Sequence, residues 1–170
     1  MNKSFYSIVF LLLLCILSAC QTGKEQGVVI NGVRWATHNV QITGSFTKDP
    51  SDMGGLFTWE EAKIACPRGW RLPTSDEMQL LREAAGEWIV QNGIVGREFG
   101  NAPHQLFLPA AGWRNNLTDG ETNYVNENGH YWTSTTSGTT NAMRLAIFSS
   151  FTVVNANNQG LGFSVRCVAE

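Results

Sequence analysis

The stretch ACPRGWRLPTSDE, Ala65 to Glu77, sets a cysteine beside a Pro-Arg-Gly-Trp turn and directly ahead of a helix start. Thr74 and Glu77 have the spacing of a capping box, in which each side chain reaches a backbone N–H at the helix entrance. Ser75-Asp76-Glu77 also places acid where the helix dipole favours it. Downstream, Met78, Leu81, Ala85 and Trp88 share one helical face with Leu80 and Ala84 beside it, and Gly93 ends the helical region. Upstream, Thr58 and Glu61 repeat the capping signal and open a first helix from about Trp59 to Ala65, which Pro67 stops. The stretch thus joins two short helices, with Cys66 at the joint.

The role of Cys66 depends on the other cysteines. The chain has 170 residues and 4 Cys. It opens MNKSFYSIVFLLLLCILSAC, with Lys3, an apolar run from Ile8 to Leu17, and small residues before Cys20. The run is short for a membrane span and has the layout of an export signal. Its ending, Leu17 to Cys20, resembles the lipobox of bacterial lipoproteins. That implies a signal peptide over residues 1–19 and a lipid anchor on Cys20, which makes the membrane a partner. QTGKEQG then reads as a polar tether within residues 20–27, and residues 28–170 as one domain large enough to bury a core. Cys15 leaves with the signal and Cys20 carries lipid, so Cys66 and Cys167 remain, and two cysteines in an exported domain are expected to pair. The loop they close, roughly a hundred residues, is worth about 4.7 kcal/mol in the chain-entropy account of disulfides.

Apolar residues make up 43% of the chain and charged residues 15%, a composition that folds; the formal charge of −2 argues against a nucleic-acid partner. VVINGVRWATHNV carries an Asn-Gly hairpin signal between β-branched residues. After the second helix, QLFLPAAGW, HYWTSTT, AMRLAIFSS, FTVVNAN and GFSVRCVA read as strands. Met143, Leu145 and Ile147 alternate with Arg144, and Phe163, Val165 and Cys167 alternate with Ser164 and Arg166, the period of a half-buried strand. Between Trp113 and Tyr131 runs a long polar stretch, and such segments in compact domains are functional or mobile. Two short helices with a mostly antiparallel sheet and long polar loops give an α+β class.

Taken together, NGVRWATHNV, CPRGWRLPTSDEMQLL, LPAAGWRN, GHYWTST and the closing GFSVRCV resemble the Fibrobacter succinogenes major paralogous domain, over roughly Val28 to Val168. The resemblance implies a secreted or lipid-anchored domain of the bacterial envelope, at the outer membrane, with a C-type-lectin-like fold. Formylglycine-generating enzymes and hypervariable ligand-binding proteins share that fold. The family's opening strand often carries a Cys where this chain has His38, so no second disulfide is expected there.

A nucleophilic thiol needs a thiolate and a neighbouring base or ligand, and Cys66 has neither in sequence, so no catalytic residue is assigned. His38, His104 and His130 stand apart, without metal-site spacing, and read as loop residues. Asp119, Glu121 and Glu127 lack calcium-ligand spacing, so neither metal nor cofactor is expected. Aromatic faces beside amides suit a glycan or protein ligand, which points to Trp113, Arg114, Asn115, Asn116 and Tyr124 in the polar stretch. Asn155, Asn157 and Asn158, ahead of the last strand, are the second group. The expected function is a non-catalytic, lipid-anchored domain binding a glycan or protein through these loops. The alternatives are an enzyme distantly like the formylglycine-generating proteins, and a structural component of a surface assembly.

Overall fold

The computed structural model describes residues 27–116 and 119–170. The expected signal peptide over 1–19, the expected lipid on Cys20 and most of the expected tether over 20–27 fall outside the described residues.

The Asn-Gly signal is used as expected. Asn31 and Gly32 both take positive φ and turn β1 (Val28–Ile30) back onto β2 (Val33–Ile42). β3 (Ser45–Phe46) pairs with the far end of β2. Both capping boxes are formed. Thr58 and Glu61 open α1 (Trp59–Ala62), and Thr74 and Glu77 open α2 (Ser75–Glu83). Between the helices, β4 (Trp70–Arg71) joins the edge of the last strand, β13 (Arg166–Ala169), which itself pairs with β2. The first sheet therefore runs β1-β2-β13-β4.

Beyond α2 the structure corrects the reading of the sequence. The helix stops at Glu83, and Gly86–Gln91 is not helical but β5, the first strand of a meander with β6 (Ile94–Asn101) and β7 (His104–Pro109). Asn92-Gly93, read as the end of the helical region, is a second positive-φ hairpin turn. Trp-Ile-Val between Gly86 and an Asn-Gly pair is compatible with a strand, and pairing with β6 along its whole length fixes it as one, overriding the helical periodicity that Ala85 and Trp88 continue. Then β8 (Trp113–Arg114) pairs with β9 (Thr122–Asn123), and β10 (Asn128–Ser137), β11 (Asn141–Phe148) and β12 (Thr152–Asn158) form a third antiparallel meander. Strand accounts for 53% of the described residues and helix for 9%, in several small antiparallel sheets. The expected α+β, C-type-lectin-like class is therefore not what the structure shows: the chain is mostly β.

Two apolar clusters hold these sheets together. Trp132, Phe163, Val165, Cys167, Ala36 and Trp59 belong to one; Trp35, Met78, Leu81, Tyr131, Leu145 and Ile147 belong to the other. Adjacent residues of one strand, such as Tyr131 and Trp132, serve opposite clusters, as the two-residue period of a strand requires. Arg166, on the β13 face opposite Val165 and Cys167, is fully buried rather than on a solvent face. Its Nε donates to Asn39 Oδ1 at 2.9 Å, Nη1 to Ala36 O at 3.1 Å and Nη2 to Phe107 O at 3.1 Å. These bonds satisfy the guanidinium inside the protein and fix β13 against β2 and β7.

The question posed by the opening stretch is answered here. Cys66, just beyond α1, is disulfide-bonded to Cys167 in β13, with Cα atoms 6.0 Å apart and a sequence separation of 101. Both lie against the first cluster, and neither thiol is free to react.

Candidate functional site

The two polar segments picked out in the sequence meet. In β8, the Arg114 N–H donates to Gly162 O at 2.8 Å, and the Gly162 N–H donates back to Arg114 O at 2.9 Å. Gly162 is needed at this approach, because a Cβ there would stand 2.9 Å from Arg114 Cβ and 3.1 Å from its Nε. Arg114 Nη2 also donates to Leu56 O at 2.9 Å, so Arg114 joins three segments rather than projecting free. Trp113 is half-buried and packs on the first cluster beside Leu161. The Asn115 N–H donates to Glu121 O, and its own carbonyl accepts from Gly120 N–H, which closes the turn between β8 and β9. Asn116 is exposed. Tyr124 is 55% exposed with φ of 58°, in the turn that leads into β10.

The second group lies on a strand and not in a loop. Asn155 pairs with Arg144 across β11–β12, and Asn157 pairs with Ala142, so both side chains share the Arg144 face. Asn158 points the other way, and its Oδ1 accepts from Gly160 N–H at 2.8 Å, which shapes the turn toward Gly162. Of the eight residues, the structure thus offers Asn116, Tyr124, Asn155 and Asn157 to a ligand and uses the others mainly as framework.

That same face carries what the sequence reading missed. Arg144, read as the solvent-facing member of an alternating strand, is only 7% exposed, and His130, read as a loop residue, is 6% exposed within β10. The segment around Phe163 covers both. His130 stacks on the Phe163 ring at 5.0 Å, Trp132 lies 4.4 Å from it on the same side, and the Arg144 guanidinium sits 5.8 Å from its centroid. His130 Nε2 bonds Asn128 Oδ1 at 3.0 Å, but its Nδ1 has no partner. Arg144 Nε and Nη1 are buried and also unpartnered. Burial first, then the neighbouring Arg144 cation, pushes the imidazole down to about 3, so His130 is neutral at ordinary pH. Burial pulls the Arg144 guanidinium down to about 10, and it stays charged at neutral pH. The signal in the sequence was a single Arg inside the apolar run Ala142–Phe148, where a cation is expensive.

At the edge of this face Phe148 reaches His130 edge-on at 6.2 Å, and Phe151 stacks on Phe148 at 4.5 Å while remaining 52% exposed. The row Phe151, Phe148, His130, Phe163 and Arg144 is continuous, ring against ring.

A cleft of about 490 Å³ lies elsewhere, between the β1–β2 turn, the end of α2 and the β6–β7 turn, with Asn31, Glu83 and His104 in its walls. Its amide Asn31 is already engaged, donating to Leu80 O at 2.8 Å. Among the described residues no group of three or more His, Cys, Asp or Glu is placed to hold a metal ion. No helix among them is long and apolar enough to cross a membrane.

Neither a curated protein nor a solved structure matches this chain. A family model does, over residues 21–169, and the motifs it spans include the disulfide-bonded Cys66 and Cys167 and the buried Arg166: the chain belongs to the Fibrobacter succinogenes major domain family.

Proposed function

We propose that the protein is a non-catalytic binding domain of the bacterial envelope, anchored through a lipid on Cys20 at the outer membrane, and that it recognises a glycan or protein ligand. Membership of the family supports a surface domain whose activity is unspecified. The observation that carries the binding reading is the join between the two polar segments. The Arg114–Gly162 backbone bonds tie β8, which leads to Asn116, to the segment that follows β12, the strand of Asn155 and Asn157, and this supports a common frame for the two groups.

Two experiments test it. Full-length protein in mild detergent is passed over a glycan array and over membrane extracts, with alanine at Asn116, Tyr124, Asn155 and Asn157 as comparison. Capture that all four replacements leave intact removes the site assignment. Metabolic labelling with an alkyne fatty acid tests the anchor, and label that persists in Cys20→Ala removes it.

A further inference from the structure

The strand β12 is a sheet edge that the fold leaves open. On the other side of its meander, β10 is closed by the Phe163 segment, with Trp132 N–H donating to Ser164 O at 3.1 Å and Ser164 N–H to His130 O at 2.9 Å. β5, at the edge of the β5-β6-β7 meander, carries Glu87, and a charge guards an edge against pairing with another chain. β12, Thr152–Asn158, carries neither a charge nor a proline.

The backbone groups of this edge can be followed residue by residue. Phe148 N–H donates to Phe151 O, and Gln159 N–H donates to Thr140 O, both at 2.9 Å. Along the same register, Val153, Asn155 and Asn157 therefore turn their backbone groups to β11, and Thr152, Val154, Ala156 and Asn158 turn theirs outward. The ends of the outward row are engaged. Thr152 O accepts from Arg82 Nε at 3.1 Å, Asn158 N–H donates to Asn157 Oδ1 at 2.9 Å, and Asn158 O accepts from Leu161 N–H at 3.2 Å. Val154 and Ala156 have no outward backbone partner among the described residues. They stand symmetrically about Asn155, which is exposed.

We infer that β12 is a self-association edge, on which a second copy of this chain pairs antiparallel about a two-fold axis through Asn155. Val154 of each copy then exchanges both backbone hydrogen bonds with Ala156 of the other, and all the outward groups of these two residues are satisfied. The Asn155 side chains meet across the axis as a closely spaced pair, in which each amide both donates and accepts. A foreign extended segment could follow the same ladder. The symmetry of the row about one amide, and the lack of any charge that would make two copies repel, favour the second copy. The contact is short, so the association is weak in solution, and copies held on one membrane by the proposed anchor gain in local concentration.

The test follows full-length protein in mild detergent by sedimentation over a concentration series, and on non-reducing gels after gentle oxidation of membranes from expressing cells. A concentration-dependent dimer is expected. Asn155→Lys sets like charges opposite each other at an exposed position and should raise the dissociation constant roughly 10- to 100-fold, the value of the two lost amide bonds. Asn155→Cys should link to its own copy, because the two Cα atoms of such a pair stand about 4.5 Å apart, within disulfide reach. Asn157→Cys is the control, since its two copies lie about 14 Å apart along the paired strands. Amide NMR spectra establish that each variant is folded. A protein that is monomeric at every concentration, a dimer indifferent to Asn155→Lys, or an Asn155→Cys link no stronger than that of wild type or Asn157→Cys overturns the inference. A link from Asn155→Cys to a different protein also overturns it, in favour of a foreign strand. Ligand capture by a protein that stays monomeric overturns this inference alone and leaves the binding reading standing.

Discussion

Arg114 and Gly162 exchange both of their backbone hydrogen bonds, at 2.8 and 2.9 Å, and so couple two segments separated by the whole of β9 to β12. The coupling works because Gly162 has no side chain. Gly162→Ala would drive a methyl group into Arg114 Cβ, an atom close to the backbone that cannot swing aside. We expect a loss of about 1–3 kcal/mol in urea unfolding, the usual cost of forced overpacking, together with loss of ligand capture. An unchanged midpoint would show that the two segments part without cost.

Arg144→Met should move stability in the opposite direction. The methionine keeps the apolar stem against Phe163 and removes a cation that has no acceptor for two of its nitrogens. The cation–π contact that is lost is worth about 0.5–2 kcal/mol, whereas the desolvation of a buried ion costs several kcal/mol. A net gain of about 1–3 kcal/mol is expected in thermal or urea unfolding. A clear loss of stability would make Arg144 structural.

His130 gives a pH signature with a definite sign. Its folded value, about 3, lies below the ordinary value of 6.5, so the unfolded chain takes up a proton that the folded one refuses. The stabilisation is complete above about 6.5 and declines as pH falls toward 3, at about 1.4 kcal/mol per unit once the unfolded imidazole is charged. Between pH 7 and pH 5 the loss from this group is about 2 kcal/mol. His130→Phe should flatten that part of the stability profile, whatever it does to the absolute level. In Arg144→Met, with the neighbouring cation removed, the folded imidazole titrates higher, so the decline keeps its slope but ends at a higher pH and its total is smaller. Histidine proton NMR reads the titration directly.

The disulfide predicts a plain loss. Cys66 and Cys167, at a sequence separation of 101, close a long loop and tie the end of α1 to an inner strand of the first sheet. Replacing both with Ser should cost about 2–5 kcal/mol. Equilibrium unfolding with and without reductant checks it, and two titratable thiols in the unreduced, denatured wild-type domain would remove the pairing altogether.

How much of this was legible from residues alone varied with the range of the interaction. Both capping boxes, the Asn31-Gly32 turn and the cysteine pair were readable, because each depends on a few residues or on counting. Gly86–Gln91 was misread because Ala85 and Trp88 extend the periodicity of α2, while the strand is fixed by pairing with β6, which one window of sequence does not contain. The fold class went astray for the same reason. Arg144 and Arg166 were both taken as outward-facing from their alternation with apolar neighbours. Alternation reports which residues share a face, not whether the second face is also covered. The Phe163 segment covers Arg144, and β2 and β7 cover Arg166, through contacts distant in sequence. The Arg114–Gly162 join was likewise out of reach, although both segments were chosen for their polarity.

Within the opening stretch, Arg71 had a partner that the sequence did not name, and it is Glu77. Nη1 donates to Oε2 at 2.8 Å and Nη2 to Oε1 at 2.6 Å, while Oε2 also accepts from the Thr74 N–H at 2.7 Å. One carboxylate therefore caps α2 and clamps β4 to it. Arg71 first, and the Thr74 backbone after it, hold the Glu77 carboxyl below its ordinary 4.5, against the opposing effect of burial. A depressed carboxyl stabilises the fold above its unfolded value, and that contribution fades as pH falls below about 4.5. Glu77→Ala removes both the cap and the clamp and should cost about 1–3 kcal/mol at pH 7. Glu77→Gln keeps part of the cap, costs less, and should flatten the acid limb of the stability curve relative to wild type. Urea unfolding at pH 7 and pH 4 separates the two variants: equal losses for both at pH 7 would mean that the charge alone matters, and no loss for either would mean that the clamp is dispensable.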